Sequence, residues 1–113
     1  MKKTGIELRA EKAPKQVSES TYEQGLKREV KKMGGWAIKI WPFNLVGFPD
    51  RLVLMPGGLV YFVELKAPGK TPRDTQQLVL SRLASLGFKT FVVNSEPTLV
   101  ELLTELKTDQ LLR

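Results

Sequence analysis

The sequence predicts an α/β domain with a mixed central sheet flanked by helices, in the order αβββαβα. Three observations carry this. β-Prone runs follow one another between Trp36 and Lys66, split by turn residues. A helix-patterned segment then separates the third run from a fourth, a crossover unit whose two strands should lie parallel. Segments with apolar residues at helical spacing stand at both ends, so helices can cover both faces of one sheet.

Residues 1–17 are mostly polar and contain Pro14, and they read as a basic arm, flexible or loosely packed, ahead of a domain over 18–113. Its Lys2, Lys3, Arg9, Lys12 and Lys15 can lie along a phosphate backbone, although a plain disordered tail has the same composition. The first helix is predicted from about Ser20 to Met33. Ser20 and Glu23 have capping-box spacing, Tyr22, Leu26, Val30 and Met33 form one stripe, and Gly34-Gly35 ends it. Trp36 to Trp41 reads as a strand with Trp36, Ile38 and Ile40 on one face and Ala37, Lys39 and Trp41 on the other. A loop from Pro42 to Pro49 leads to a strand over Arg51–Met55. Pro56-Gly57-Gly58 is a tight turn, and the strand from Leu59 to about Lys66 is apolar enough to be central. Thr71-Pro72-Arg73-Asp74 combines an N-cap, a proline at the first helical position and an early acid, which predicts a helix through Leu86 to Gly87. Phe88–Asn94 is the fourth strand. Ser95-Glu96-Pro97 opens a last helix with Leu99, Leu102, Leu103 and Leu106 on one face.

Composition restricts the chemistry. The chain has 113 residues, enough for one domain, with neither cysteine nor histidine. Disulfides, thiolate zinc sites, cysteine nucleophiles and histidine bases are therefore excluded. Any metal must be held by oxygen, which favours Mg²⁺ or Mn²⁺. The formal net charge of +6 suits an approach to nucleic acid without proving one. No signal peptide or apolar span is read, so an intracellular, cytoplasmic protein is expected, away from membranes.

The chemistry concentrates at the end of the third strand. Glu64 and Lys66 point to one face because strand side chains alternate. A Glu–Lys surface pair is the bland reading. Asp50 changes the balance, since the turn at Gly57-Gly58 folds its strand back and brings it near Glu64. Two adjacent carboxylates repel unless a proton or cation joins them. Magnesium can take one oxygen from each, the backbone carbonyl of Leu65, and waters. Such an ion lowers the pKa of bound water and stabilises charge on a phosphate. Lys66 can hold or help deprotonate the attacking water, or neutralise developing charge. From spacing alone Glu23 is better explained as a cap, and Gln76 as an ordinary solvated helix residue. Lys39, Arg51, Lys70 and Arg73 can extend a DNA-binding surface, each weak alone because exposed cations are common. Trp41 and Phe43 can stack on bases, or be buried in a core or interface.

Gly47-Phe48-Pro49-Asp50-Arg51, then Glu64-Leu65-Lys66 within the FVELKAPG run, then Gln76, resembles the VRR-NUC branch of the PD-(D/E)xK nucleases over roughly Ser20 to Leu103. Gly34-Gly35 and the Pro56-Gly57-Gly58 turn occupy matching places in that order. The resemblance implies a restriction-endonuclease-like fold and a metal site of Glu23, Asp50 and Glu64 with the Leu65 carbonyl. It implies Lys66 as the catalytic lysine and raises Gln76 over Gln77. It also reverses the preference for Glu23 as a mere cap. Short standalone members occur in bacteriophages and bacteria and resemble dimeric junction-resolving enzymes. A Mg²⁺- or Mn²⁺-dependent endodeoxyribonuclease acting on four-way junctions as a homodimer is thus expected. The apolar loop containing Trp41, Phe43, Leu45 and Phe48 is available to the dimer. The alternatives are a nickase, a flap or restriction-like nuclease, and a non-catalytic DNA-binding module that retains the fold.

Overall fold

A computed structural model describes residues 16–41 and 44–113 of the chain. Helix α1 spans Glu19–Lys32, and strands β1, β2 and β3 span Trp36–Lys39, Arg51–Met55 and Leu59–Leu65. Helix α2 (Asp74–Ser85), strand β4 (Lys89–Val93) and helix α3 (Glu96–Leu112) follow. The order αβββαβα is the predicted one. The basic arm, apart from Gln16 and Val17, and Phe43 of the apolar loop lie outside the described residues.

The four strands form one sheet in the order β1-β2-β3-β4. The first two pairings are antiparallel and the last is parallel. Strand β3 is therefore interior, as its apolar run requires. The hairpin register pairs Met55 with Leu59 and Arg51 with Val63, closed by Gly57 and Gly58 at φ +91° and +79°, values that a side chain would resist.

The sheet is covered unequally. Tyr22, Leu26 and Val30 of α1 pack with Val53, Met55, Tyr61, Val63, Leu65 and Val93 of the sheet and with Leu102 and Leu106 of α3 in one buried cluster. The other face has α2, whose Gln76 and Leu83 are buried, and an edge-to-face aromatic row of Phe48, Phe62 and Phe88 with centroids 5.7 and 5.5 Å apart. Leu45, Val46 and Phe48 of the loop before β2 form an apolar groove of about 420 Å³ with Leu78, Leu83 and Leu86 of α2.

Two helix starts differ from expectation. Helix α1 is capped by Ser18, whose amide donates to Thr21 Oγ1 at 3.0 Å, so Glu23 is not its capping residue. Helix α2 starts at Asp74, not at Pro72. The Arg73 amide is satisfied by Gln76 Oε1 at 2.8 Å, which supplies locally what Thr71 was expected to supply. At α3 Ser95 and Thr98 cap each other's amides at 3.1 Å, as the Ser95-Glu96-Pro97 signal predicts in kind.

Candidate active site

The site grows from the open end of the β2–β3 hairpin. With Arg51 opposite Val63, the next pair outward is Asp50 and Glu64. Asp50 is fixed from the other side as well, because its carbonyl accepts the Ile40 amide at 2.9 Å just past β1. On the far side of β3 the Lys66 amide donates to the Val93 carbonyl at 2.9 Å, so the residues of the acid–lysine segment are held by backbone on both sides. The loop into Asp50 is pressed onto α2. Gly47 has φ +84°, and a Cβ there would stand 2.7 Å from the Thr75 carbonyl oxygen. Only glycine lets Asp50's loop approach the first turn of that helix so closely.

That first turn carries Gln76. Its Nε2 donates to Glu64 Oε2 at 2.8 Å while its Oε1 accepts the Arg73 amide, so one amide group locks the carboxylate to the helix start. Lys66 Nζ stands 3.3 Å from the same Oε2. Glu64 is only 3% exposed, and its other oxygen, Oε1, has no hydrogen-bond partner among the described residues. Asp50 Oδ1 is buried and unpartnered in the same way. Burial raises the pKa of both carboxyls, and the Asp50 charge raises Glu64 further. The Leu65 amide and the charges of Arg51 and Lys39 oppose the rise at Asp50, and Lys66 opposes it at Glu64.

The structure thus brings Asp50, Glu64, Lys66 and Gln76 together. It places Glu23 and Arg51 differently. Arg51 was expected on the DNA-facing surface, but it is 4% exposed and its Nη2 donates to Glu23 Oε2. It shares the buried side of β2 with Val53 and Met55. Glu23, the third implied ligand, is engaged by that guanidinium. Among the described residues no group of three carboxylates gathers at one point. Lys70 and Arg73 are exposed beside the site, as is Lys39, whose Nζ lies 4.8 Å from the Trp41 ring centroid. Trp41 and Leu45 are exposed, whereas Phe48 is half-buried against Phe62.

Two carboxylates on opposite positions of the hairpin, Glu64 buried and Asp50 half-buried, each with one buried oxygen that has no partner among the described residues, suit a hard cation: an oxygen donor set, negative charge with incomplete protein compensation, and no soft ligand. The residues present fit Mg²⁺ or Mn²⁺ through Asp50 and Glu64, while Glu23 is held by Arg51.

The comparisons agree with this architecture. A solved structure described as a VRR_NUC domain superposes with a TM-score of 0.73 at 28% sequence identity, covering 79% of this chain and 97% of that one. Over 80 residues, 71% of this chain and 86% of the relative, the sequence is 41% identical to "Putative nuclease p44" of Acyrthosiphon pisum secondary endosymbiont phage 1. The chain belongs to the VRR-NUC family of nucleases. No family model matches the sequence. Its mixed sheet and αβββαβα order are the restriction-endonuclease-like fold of the PD-(D/E)xK superfamily. Among the described residues, no helix of this VRR-NUC chain is long and apolar enough to cross a membrane.

The residues alone did not announce two contributors to this site. Gly47 was read only as part of a motif; its packing on Thr75 needs the tertiary fold. The Gln76–Glu64 bond was signalled by family spacing, since a helical glutamine carries no other mark.

Proposed function

We propose that this VRR-NUC protein is a divalent-metal-dependent endodeoxyribonuclease that cuts branched DNA, with the four-way junction as its substrate and a homodimer as its working form. The observation that carries the reading is the pair of bare, buried oxygens on Asp50 and Glu64, beside the ammonium of Lys66. A nuclease has a use for that arrangement, and a Glu–Lys surface pair does not, because Glu64 is buried.

A bound Mg²⁺ or Mn²⁺ supplies charge stabilisation and an activated water at such a site. Asp50 and Glu64 would hold it, with the Leu65 carbonyl as the protein's remaining share. Gln76 keeps the Glu64 carboxylate from rotating away, a restraint that preserves reactive geometry. Lys66 orients the attacking water or neutralises charge gathering on the scissile phosphate. Lys39, Lys70 and Arg73 lie on the exposed rim and hold flanking phosphates. Arg51 is reserved for Glu23 and takes no part in DNA contact.

Two coordinated cuts need two sites, hence two copies. The groove between the loop at Leu45–Val46 and α2 offers an apolar surface to the second copy. The experiment is cleavage of four-way junctions, flaps, nicked and linear duplexes with EDTA, Mg²⁺ or Mn²⁺, alongside mass measurement of free and DNA-bound protein. Paired nicks in the junction, absent in EDTA and absent from K66A, are expected. Cutting of linear duplex in preference to junctions by a monomer overturns both substrate and assembly; a dimer that prefers flaps overturns the substrate alone.

A further inference from the structure

We propose that Asn94 is a positioning residue for DNA: it pins the turn Ala67–Lys70 against the end of β4, so that Lys70 meets a phosphate of the substrate from a fixed backbone position. The proposal rests on the nuclease reading above, in which Lys70 is a rim contact, and deepens it by naming what sets that contact.

The two parallel strands end side by side. Leu65 is in register with Val93, and the Lys66 amide extends the ladder by donating to the Val93 carbonyl at 2.9 Å. Ala67-Pro68-Gly69-Lys70 follows at once. The Lys70 amide donates to the Ala67 carbonyl at 3.0 Å, and Gly69 has φ +74°. Proline followed by a positive φ inside such a bond makes a type II turn. In open α/β sheets ligands bind beyond the carboxyl ends of the strands. This turn stands at that end, between Lys66 and the helix that carries Gln76.

Asn94 holds the turn twice. Its carbonyl accepts the Gly69 amide at 2.9 Å, and its side-chain Nδ2 donates to the Lys70 carbonyl at 2.8 Å. Asn94 is itself fixed from behind. Its amide donates to Thr98 Oγ1 at 3.1 Å, and Thr98 exchanges hydrogen bonds with Ser95 at the start of α3. One side chain thus ties the start of α3 to the backbone of Lys70. An aliphatic residue at this place would keep the Gly69 bond and lose the Lys70 bond.

The core does not require this clamp. Pro68, Gly69 and Lys70 are exposed and belong to no buried cluster, and water can satisfy an exposed carbonyl as well. A cation that meets DNA has a use for it. The lysine ammonium rides on a flexible stem, and a mobile backbone beneath it adds to the freedom lost on binding. Lys70 makes no ion pair among the described residues, whereas Lys66 is turned to Glu64. Arg73, the other rim cation of this segment, is anchored in the same manner, since its amide donates to the Gln76 carboxamide. Two carboxamides, Asn94 and Gln76, therefore fix the backbone under two exposed cations beside the site.

The test uses the full-length protein in EDTA, which prevents cutting, with a labelled four-way junction as the probe and anisotropy read across a salt series. K70Q should flatten the log affinity–log salt slope by about 0.9, the share of one phosphate on duplex DNA. Between about 50 and 200 mM salt its affinity should therefore fall about 3.5-fold less than that of the wild type. N94A should flatten the slope by the same amount, and N94A/K70Q no further than either single variant, because all three lose one contact. An asparagine that serves only the fold would lower the melting temperature and leave the slope alone. If N94A does not fold, P68G loosens the same turn without touching Asn94 and should show the flattened slope; a wild-type slope in P68G overturns the proposal. A flattened slope in K70Q with a wild-type slope in N94A overturns the role of Asn94 and leaves the nuclease reading standing. A wild-type slope in K70Q takes Lys70 off the DNA surface and overturns the proposal. Wild type that neither binds the junction nor cuts DNA when Mn²⁺ is restored overturns the nuclease reading as well.

Discussion

Strand β3 carries two polar clusters, one opening from the buried Tyr61 to the surface and one around the buried Glu64, and they are built on opposite plans. Near its start, Tyr61, 1% exposed, donates to Asp109 Oδ2 at 2.7 Å, and Lys89 reaches the same oxygen at 2.9 Å and also pairs with Glu105. That cluster ties α3 to the sheet and fills the hydroxyl's hydrogen-bonding needs. Three residues further on, Glu64 receives Gln76 and Lys66 on one oxygen, while its other oxygen and the Oδ1 of Asp50, the residue opposite it on the hairpin, have no partner among the described residues. A polar cluster that serves the fold is closed, because an unpartnered buried group costs about 1–3 kcal/mol. A cluster that serves a ligand stays open at the ligand's place. The directions of the pKa shifts agree. Asp109 is held below the usual carboxylate value by Lys89 and Tyr61, whereas Asp50 and Glu64 are pushed above theirs by burial.

The largest difference should appear in catalysis. K66A is expected to lose roughly 10²–10⁴-fold in single-turnover cleavage while its DNA affinity in EDTA stays within about threefold, a split that separates chemistry from binding. Comparable cleavage rates in K66A and wild type would remove Lys66 from the reaction. Y61F, by contrast, should cut at the wild-type rate.

E64Q should abolish divalent binding yet raise the metal-free melting temperature. The repulsion between the Asp50 charge and the buried Glu64 charge disappears. Adding Mn²⁺ at about a hundred times its dissociation constant should stabilise the wild type by about 2.7 kcal/mol and leave E64Q unmoved. A fall in metal-free melting temperature for E64Q would mean that the cluster is structural after all.

Gly47→Ala should cost about 1–3 kcal/mol of stability, from positive φ and the contact with Thr75, measured by urea unfolding. It should also weaken Mn²⁺ binding, since moving the first turn of α2 breaks the Gln76–Glu64 bond. Wild-type stability in G47A would show that the loop can slide off the helix without strain.

The pH dependence has opposite signs at the two clusters. Asp50 and Glu64 have raised folded-state pKa values, so they destabilise the metal-free protein above those values. Stability is regained as pH falls through them toward the ordinary 3.8 and 4.5. Asp109 is depressed, so its contribution is present above its ordinary 3.8 and is lost as pH falls through its folded value. Melting curves from neutral pH downward should therefore rise and then fall, and Mn²⁺ should erase the rise. The smallest effect is that of Y61F, about 1 kcal/mol for one lost hydrogen bond.

Which parts of this were legible in the sequence follows from what is local. The apolar run of β3 and the Pro56-Gly57-Gly58 turn fix a hairpin, and the hairpin sets Asp50 opposite Glu64. Alternation then places Lys66. Helix starts were less legible, because Ser18 and Ser20 are both good caps and Thr71-Pro72 is a good start that goes unused. What decided them is long-range: Glu23 is drawn to Arg51 across the core, and Gln76 serves Arg73 and Glu64 at once. Arg51 itself was unreadable, since burial of an arginine depends on a partner 28 residues away.

If the carboxylates of Asp50 and Glu64 form a divalent-cation site required for cutting, loss of either one removes the ion. Calorimetric titration of Mn²⁺ into wild type and Asp50→Asn at neutral pH tests it most directly. Saturable binding to the wild type that vanishes in the variant is the predicted result. Equal binding by both proteins, or none by a wild type that still cuts DNA, would contradict it.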